Sequence, residues 1–450
     1  MIFELILIIL VSFYFIKRSS ALDINIIYYF ILLLPFIQFL KAITFPWGFL
    51  FWGTLREMLL LSIIFGFFLR NIFIKPIVVS NKLYPIIIYL LWGICLILIT
   101  IVNRELYSAL DGYRYFFLPW CLMLIIQIYI SNGSSINLDI LVKTIYKVTI
   151  IAVIIQWSEF IYLNIIQHVP EDIIYLKNKY PGLTHDHNES DFFKPFAWAK
   201  LMGINIYRGY GVFLQPQTTS VFLSMLAAFF YHFNSKSNLY INPFMKYLIL
   251  TAPFITLGWL GILSFIFVVF YVLLKRGMFN KFLPFTLIMI FLSILIDYRF
   301  LYFVYYYISS NIVDTYLALM IIDINEFLDN SNLITYFVGH GFFSGERLKM
   351  VGQNSGSFSG ETFVLRYIGQ IGIIGILPML YIIIKSLFLK NNLDQYLSDS
   401  FKGVVVVGLI STLHYAALRL TGLLEIFILS ITILYFFNQQ QKNNEEKALI

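Results

Sequence analysis

A polytopic bundle of membrane-spanning helices, all-α in class, is the fold this sequence predicts, and three observations carry that expectation. Of its 450 residues 60% are hydrophobic and only 12% charged, too little charge to cover a soluble surface of that size. Apolar runs near the length needed to cross about 30 Å of hydrocarbon recur from one end to the other. Basic residues gather in the short links between alternate runs, as they do on the cytoplasmic side of membrane proteins.

The runs fall at 2–16, 24–40, 57–69, 83–101, 114–130, 142–166, 218–233, 247–257, 259–274, 282–298, 362–388, 402–418 and 421–437. Met1–Ile16 is apolar and ends in Lys17-Arg18, but no basic region precedes it and it has no small-residue cleavage site. It therefore reads as a retained helix. The basic clusters are Lys17-Arg18; Arg70, Lys75 and Lys82; Lys143 and Lys147; Lys236 and Lys246; Lys275, Arg276 and Lys281; Lys385 and Lys390. Placing all of them inside gives one alternating path of about 12–13 crossings, with the amino terminus outside and the carboxyl terminus inside.

The whole chain, 1–450, then reads as a single integral membrane domain with two large outer stretches, 168–217 and 299–361. Its net charge of +7 is scattered over short links, a signature of topology that argues against a nucleic-acid partner. Cys95 and Cys121 lie in apolar runs, which argues against a disulfide framework or a zinc site.

Tyr247–Leu274 needs its own account. Its 28 residues carry no charge, and as one helix they would extend about 42 Å. Lys246 precedes it and Lys275-Arg276 follows it, so both ends read as cytoplasmic. Pro253, Gly258 and Gly261 sit where the chain can break and turn back. The expectation is a hairpin of two short helices, which returns both outer stretches to one compartment; the alternative is one long tilted helix.

The first outer stretch, read as an irregular loop, ends in Tyr207–Gln217, where an arginine, two glycines and a proline mark re-entry into hydrocarbon. A positive charge at such a boundary reaches a phosphate at headgroup level while its helix stays in lipid. His185, Asp186, His187 and Glu189 lack the spacing of a metal site, so metal is not expected. Phe192, Phe193, Phe196 and Trp198 suit the membrane interface.

In the second stretch, Tyr302–Leu328 has the spacing of an amphipathic helix on the outer leaflet. Gly339-His340-Gly341 allows a tight backbone beside a ligand. Glu361 opens a long apolar helix, as a functional carboxylate or as a cap, and Arg366 lies deeper. Gly369, Gly372 and Gly375 thin that helix for close packing. Ionisable groups in or near the membrane are functional candidates, here Arg114, Glu159, His414, Arg419 and Glu425, with Arg419 and Glu425 expected to pair.

These junctions together resemble those of the O-antigen polymerase and ligase family of membrane enzymes. The family's arginine followed by Gly, Phe and Pro is similar to Arg208, Gly211, Phe213 and Pro216. Its Gly-x-Gly resembles Gly339-His340-Gly341, and its Gly-x-x-Gly resembles Gly372-Ile373-Ile374-Gly375. Each motif is short; their order and the two large outer loops carry the likeness over most of the chain. Ligases carry a histidine where this chain has Glu361-Thr362, which points toward a polymerase.

The resemblance implies a multi-pass bacterial inner-membrane glycosyltransferase whose outer stretches are periplasmic loops. It would polymerise undecaprenyl-pyrophosphate-linked repeat units, using no cofactor, with a chain-length regulator as a further partner beside the lipid bilayer. Arg208 would hold the pyrophosphate, helped by Arg114, Arg366 and Arg419, with Gly211 and Pro216 shaping the junction. Glu361 or His340 would take the acceptor proton. The alternatives are a ligase that transfers the chain to a lipid A-core acceptor, and a lipid-linked sugar transporter or flippase.

Overall fold

The computed structural model describes residues 2–45, 47–78, 83–103, 106–134, 136–166, 198–201, 204–232, 241–256, 258–275, 333–339, 341–342, 363–388, 393–412 and 422–436. Five helical stretches among them are long and apolar enough to cross a membrane: Asn25–Ile43, Leu50–Phe73, Tyr84–Val102, Ala109–Ser131 and Tyr367–Phe388. Large apolar side chains such as Phe13, Phe68, Leu98 and Leu377 stand more than half exposed along outward faces. In water such faces would be a liability, and in hydrocarbon they are the expected surface. The protein is a helical membrane protein.

Helices α1 (Ile2–Ser20) and α4 (Phe49–Phe73) pack side by side in the same direction. Gly66 lets them approach, because a Cβ there would overlap the Ser19 side chain. Glu4 of α1 caps the start of α4, accepting N–H bonds from Gly48 at 2.7 Å and Leu50 at 3.2 Å. A buried carboxylate at a helix N-terminus offsets unsatisfied donors and the positive end of the dipole.

Between them, α2 (Asn25–Leu33) continues through a 3-10 turn at Pro35 into α3 (Ile37–Ile43). Helix α5 (Tyr84–Asn103) is followed by α6 (Leu106–Phe116) and α7 (Cys121–Ser131), which Pro119 separates by another 3-10 turn. Helix α8 spans Leu138–Asn164 and starts at an Asn137 cap whose side chain accepts the Ile140 N–H. Buried hydroxyls such as Thr100, Thr149 and Ser430 donate back to carbonyls four residues earlier, which satisfies them where no water is present.

The bundle is helical as expected, and the first outer stretch adds one short ribbon. Trp198–Leu201 (β1) and Ile204–Tyr207 (β2) pair antiparallel, with Trp198 opposite Tyr207, so the end of the first outer stretch is ordered ribbon and not irregular loop. Helix α9 (Pro216–Tyr231) follows, with Pro216 at its first position, where a missing N–H costs nothing.

The 28-residue apolar segment folds back. Helices α10 (Pro243–Ile255) and α11 (Trp259–Lys275) both pack on α9. The Phe254 and Phe265 rings lie 6.3 Å apart, although 11 residues of continuous helix would separate them by about 16 Å. Gly258 and Gly261 sit against Ser220 in the first turns of α9, whose hydroxyl donates to the Gly258 carbonyl at 2.6 Å. Helix α10 ends at Ile255 and α11 begins at Trp259, and Pro253 is inside α10.

Helix α12 (Leu333–Val338) precedes α13 (Phe363–Phe388), and α14 (Gln395–Ser411) and α15 (Leu423–Phe436) complete the bundle. The expected crossing at 282–298 and the amphipathic helix of Tyr302–Leu328 lie outside the described residues.

Candidate functional site

Three parts of the chain converge at the end of the bundle where α3 ends and α4 and α6 begin. The first is the junction after β2. Helix α8 holds it with one polar stripe, Gln156, Glu159 and Asn164, spaced for a single helical face. Asn164 accepts the Tyr207 N–H at 2.7 Å and donates to the Tyr207 carbonyl at 3.1 Å. Glu159 accepts the Gly211 N–H at 2.7 Å, and Thr219 of α9 donates to the Tyr210 carbonyl at 2.5 Å.

Gly211 has φ +58°, and a Cβ there would meet Thr219 and Gln156 at 2.4 and 2.6 Å, so only glycine fits. Gly209 is equally committed, since its Cβ would overlap the Gln156 amide. Gln156 is fully buried, and neither of its amide atoms has a hydrogen-bond partner. Arg208 leaves this locked backbone half-buried, with a buried Nε that has no partner. Tyr210 and Leu214 pack on Ala42 of α3, beside Phe39.

The second part is the Gly-x-Gly segment. Gly339 has φ +87°, and its Cβ would lie 2.4 Å from the Gln370 carbonyl and 2.7 Å from the Gly372 nitrogen. Gly372 itself breaks α13, with φ 69° and ψ 166°, and its Cβ would lie 2.3 Å from the Phe337 carbonyl. Two glycines far apart in sequence therefore dock backbone to backbone. Gly341 donates to the Gln370 carbonyl at 3.2 Å, and Trp92 of α5 donates to the Ile371 carbonyl at 2.8 Å at the break. Phe342 takes the Thr100 hydroxyl on its N–H at 2.9 Å, and its buried ring packs on Gly112 and Phe116 of α6.

The third part is an ionic network two residues along α6. Arg114 donates through Nε to Glu57 Oε1 at 2.5 Å and through Nη2 to the Gly53 carbonyl at 2.9 Å. Arg56 donates to the same Glu57 oxygen through Nε and Nη2, at 3.0 and 2.8 Å, and to the Arg114 carbonyl at 3.0 Å. Behind it, Arg56 Nη1 lies 3.6 Å from Glu425 Oε1, and Glu425 Oε2 accepts the Gly422 N–H at 2.6 Å. Both guanidinium groups lie over the Tyr115 ring, at 5.8 Å for Arg56 and 5.5 Å for Arg114. Lys41, in the last turn of α3, brings its Nζ to 3.9 Å from where a Gly53 Cβ would sit.

The sequence-predicted candidates divide accordingly. Arg208, Gly211 and Pro216 stand in one ordered junction, and Arg114 belongs to the network two residues from Gly112. Glu425 faces Arg56 of α4, and the expected pairing with Arg419 falls on a residue outside the described ones. Glu159 is a clamp on the junction backbone. Arg366 lies on α13 at a position whose side chain is outside the described set; His340, Glu361, His414, Arg419 and the stretch from His185 to Glu189 also lie outside the described residues.

The reading of the sequence missed Lys41, Arg56, Glu57 and Gln156. The signal available for Arg56-Glu57 was an ion pair at the head of an apolar run, where desolvation makes charge costly. No family model, curated protein or solved structure matches this chain.

Proposed function

We propose that this protein is a glycosyltransferase that polymerises oligosaccharide repeat units carried on a lipid pyrophosphate. It would be a multi-pass protein of a bacterial inner membrane, with about 12–13 crossings and both large loops in the periplasm. The observation that supports this reading best is the convergence of the two outer-stretch junctions, 207–216 and 339–342, on the one bundle end that carries Arg114. A reaction joining two lipid-linked glycans needs one such meeting place.

In the proposed step an acceptor hydroxyl attacks the anomeric carbon of the donor sugar. The bond from that carbon to the phosphate oxygen breaks, and its electron pair leaves with the lipid pyrophosphate. Arg208 is suited to that developing charge, being fixed in backbone yet holding a buried N–H without a protein acceptor. Glu361 or His340 takes the hydroxyl proton. In cells lacking the native gene, Arg208→Ala at normal protein level is expected to leave only single repeat units on the lipid acceptor. Glu361→Gln is expected to slow chain growth about a hundredfold or more. Long chains from both variants would remove this mechanism.

One observation favours a second reading, a flippase for lipid-linked sugars. The Arg56, Glu57 and Glu425 network is buried inside the bundle, where transporters place charge. Loss of a flippase would trap repeat units on the inner face, whereas loss of a polymerase leaves single units on the outside, so the same glycan assay separates the two.

A further inference from the structure

We propose that the groove between α1 and α4 binds one phospholipid with an anionic headgroup. Its acyl chain lies in the groove, and its phosphate meets the cations where both helices end. The site is at the opposite end of α4 from the junctions that meet beside Arg114, and nothing in it depends on the polymerase reading.

Gly66 brings the two helices into contact at Ile16 and Ser19, and beside that contact the seam opens into a groove of about 530 Å³. That size falls among sites that hold small ligands, about 300–1,000 Å³. Ile16 forms one wall, and Leu61, Ile64, Phe65 and Phe68 form the other, with Ser62 the only polar residue lining it. Leu61, Phe65 and Phe68 are 56%, 49% and 56% exposed, and the two phenylalanine rings stack with centres 6.3 Å apart. From Leu61 to Phe68 the apolar track runs about 11 Å along the helix.

The track leads to charge. Ile16 directly precedes Lys17, and Phe68 stands two residues before Arg70. Arg70 Nη1 donates to the Ser20 carbonyl at 2.8 Å, which ties the two helix ends together. The Lys75 N–H returns to the Arg70 carbonyl at 3.0 Å, so this lysine is held at the same end. Asp23 takes up Arg18 at 3.0 Å. Lys17, Arg70 and Lys75 have no carboxylate partner among the described residues, and both lysines are exposed.

Charge also decides the occupant. A second copy seated on this face by two-fold symmetry about the membrane normal would set the same three cations against themselves. An anionic lipid brings the opposite charge to them while its chain covers the apolar track. Cations at helix ends also serve topology and offset the helix dipole. Lysines with that role alone would give no preference among lipids.

The test titrates the full-length protein in a non-ionic detergent with phosphatidylglycerol and, separately, with phosphatidylcholine of the same chains. Bound lipid is counted by native mass spectrometry. Phosphatidylglycerol is expected to bind about twentyfold tighter. The double variant Lys17→Gln, Lys75→Gln is expected to lose most of that preference, about fivefold per charge, with phosphatidylcholine within about twofold of the parent. Leu61→Trp, which fills the groove, is expected to weaken both lipids about tenfold, while Ile94→Trp on the exposed face of α5 leaves both unchanged. Equal affinity of the parent for the two lipids, or an unaltered preference in the double variant, overturns the site. Equal loss in Leu61→Trp and Ile94→Trp removes the groove as the seat of the chain. Lipid-free dimers abolished by Leu61→Trp would give this face to a second copy and overturn the proposal.

Discussion

A single methyl group tests the joint between Gly339 and Gly372. Any side chain at Gly372 must hold φ 69° with ψ 166°, a region essentially reserved for glycine, and must fit 2.3 Å from the Phe337 carbonyl. Gly372→Ala is expected to lower stability by about 3 kcal/mol or more, read as thermal unfolding in detergent. Gly53→Ala, whose nearest neighbour would be 3.9 Å away, is expected to be neutral or slightly stabilising in the same measurement. At this scale the sequence was partly legible. Glycines announce themselves by spacing, so 339, 341 and 372 were visible as motifs, but nothing in the chain order says that they touch. The ionic network was harder: Glu425 meets Arg56 from hundreds of residues away, and nothing in the chain order announces that contact.

The hairpin of α10 and α11 was the element the sequence announced best, because an uncharged 28-residue run with basic residues at both ends has few other solutions in a bilayer. Its turn was placed near Pro253, Gly258 and Gly261, and the two helices meet between Ile255 and Trp259. Proline is tolerated inside α10, and the glycines are used for contact with α9 more than for the turn. Gly261→Leu would force a side chain into Ser220, with its Cβ 2.4 Å from the hydroxyl and 2.5 Å from the backbone. The expected cost is about 2 kcal/mol in detergent unfolding, while Leu263→Ala on the exposed face of α11 changes little. Equal effects of the two substitutions would mean that the hairpin does not depend on this close approach. The short β-ribbon was not legible, because two strands of four residues are too short for alternation to stand out from the surrounding loop.

For the whole molecule, composition alone indicated a helical membrane protein, and the exposed apolar faces of α1, α4, α5 and α13 agree with that solvent. Orientation is the larger claim. In a background with Cys95 and Cys121 replaced, Thr184→Cys and Ser357→Cys are expected to react with a membrane-impermeant maleimide from the outer side. Lys75→Cys should react only after permeabilisation. If Thr184→Cys and Ser357→Cys label from opposite sides, one shared site is impossible and the polymerase proposal fails with it.

The glycine joint has a further consequence. The hydrogen bond from Gly341 to Gln370 ties the segment at 341–342 to the helix that begins at Phe363. Main-chain atoms and Trp92 thus hold these two parts of the chain together, though they are more than twenty residues apart in sequence. Force applied through either flank would load this joint before it reached the helices beneath, so the joint acts as a mechanical clasp on the bundle.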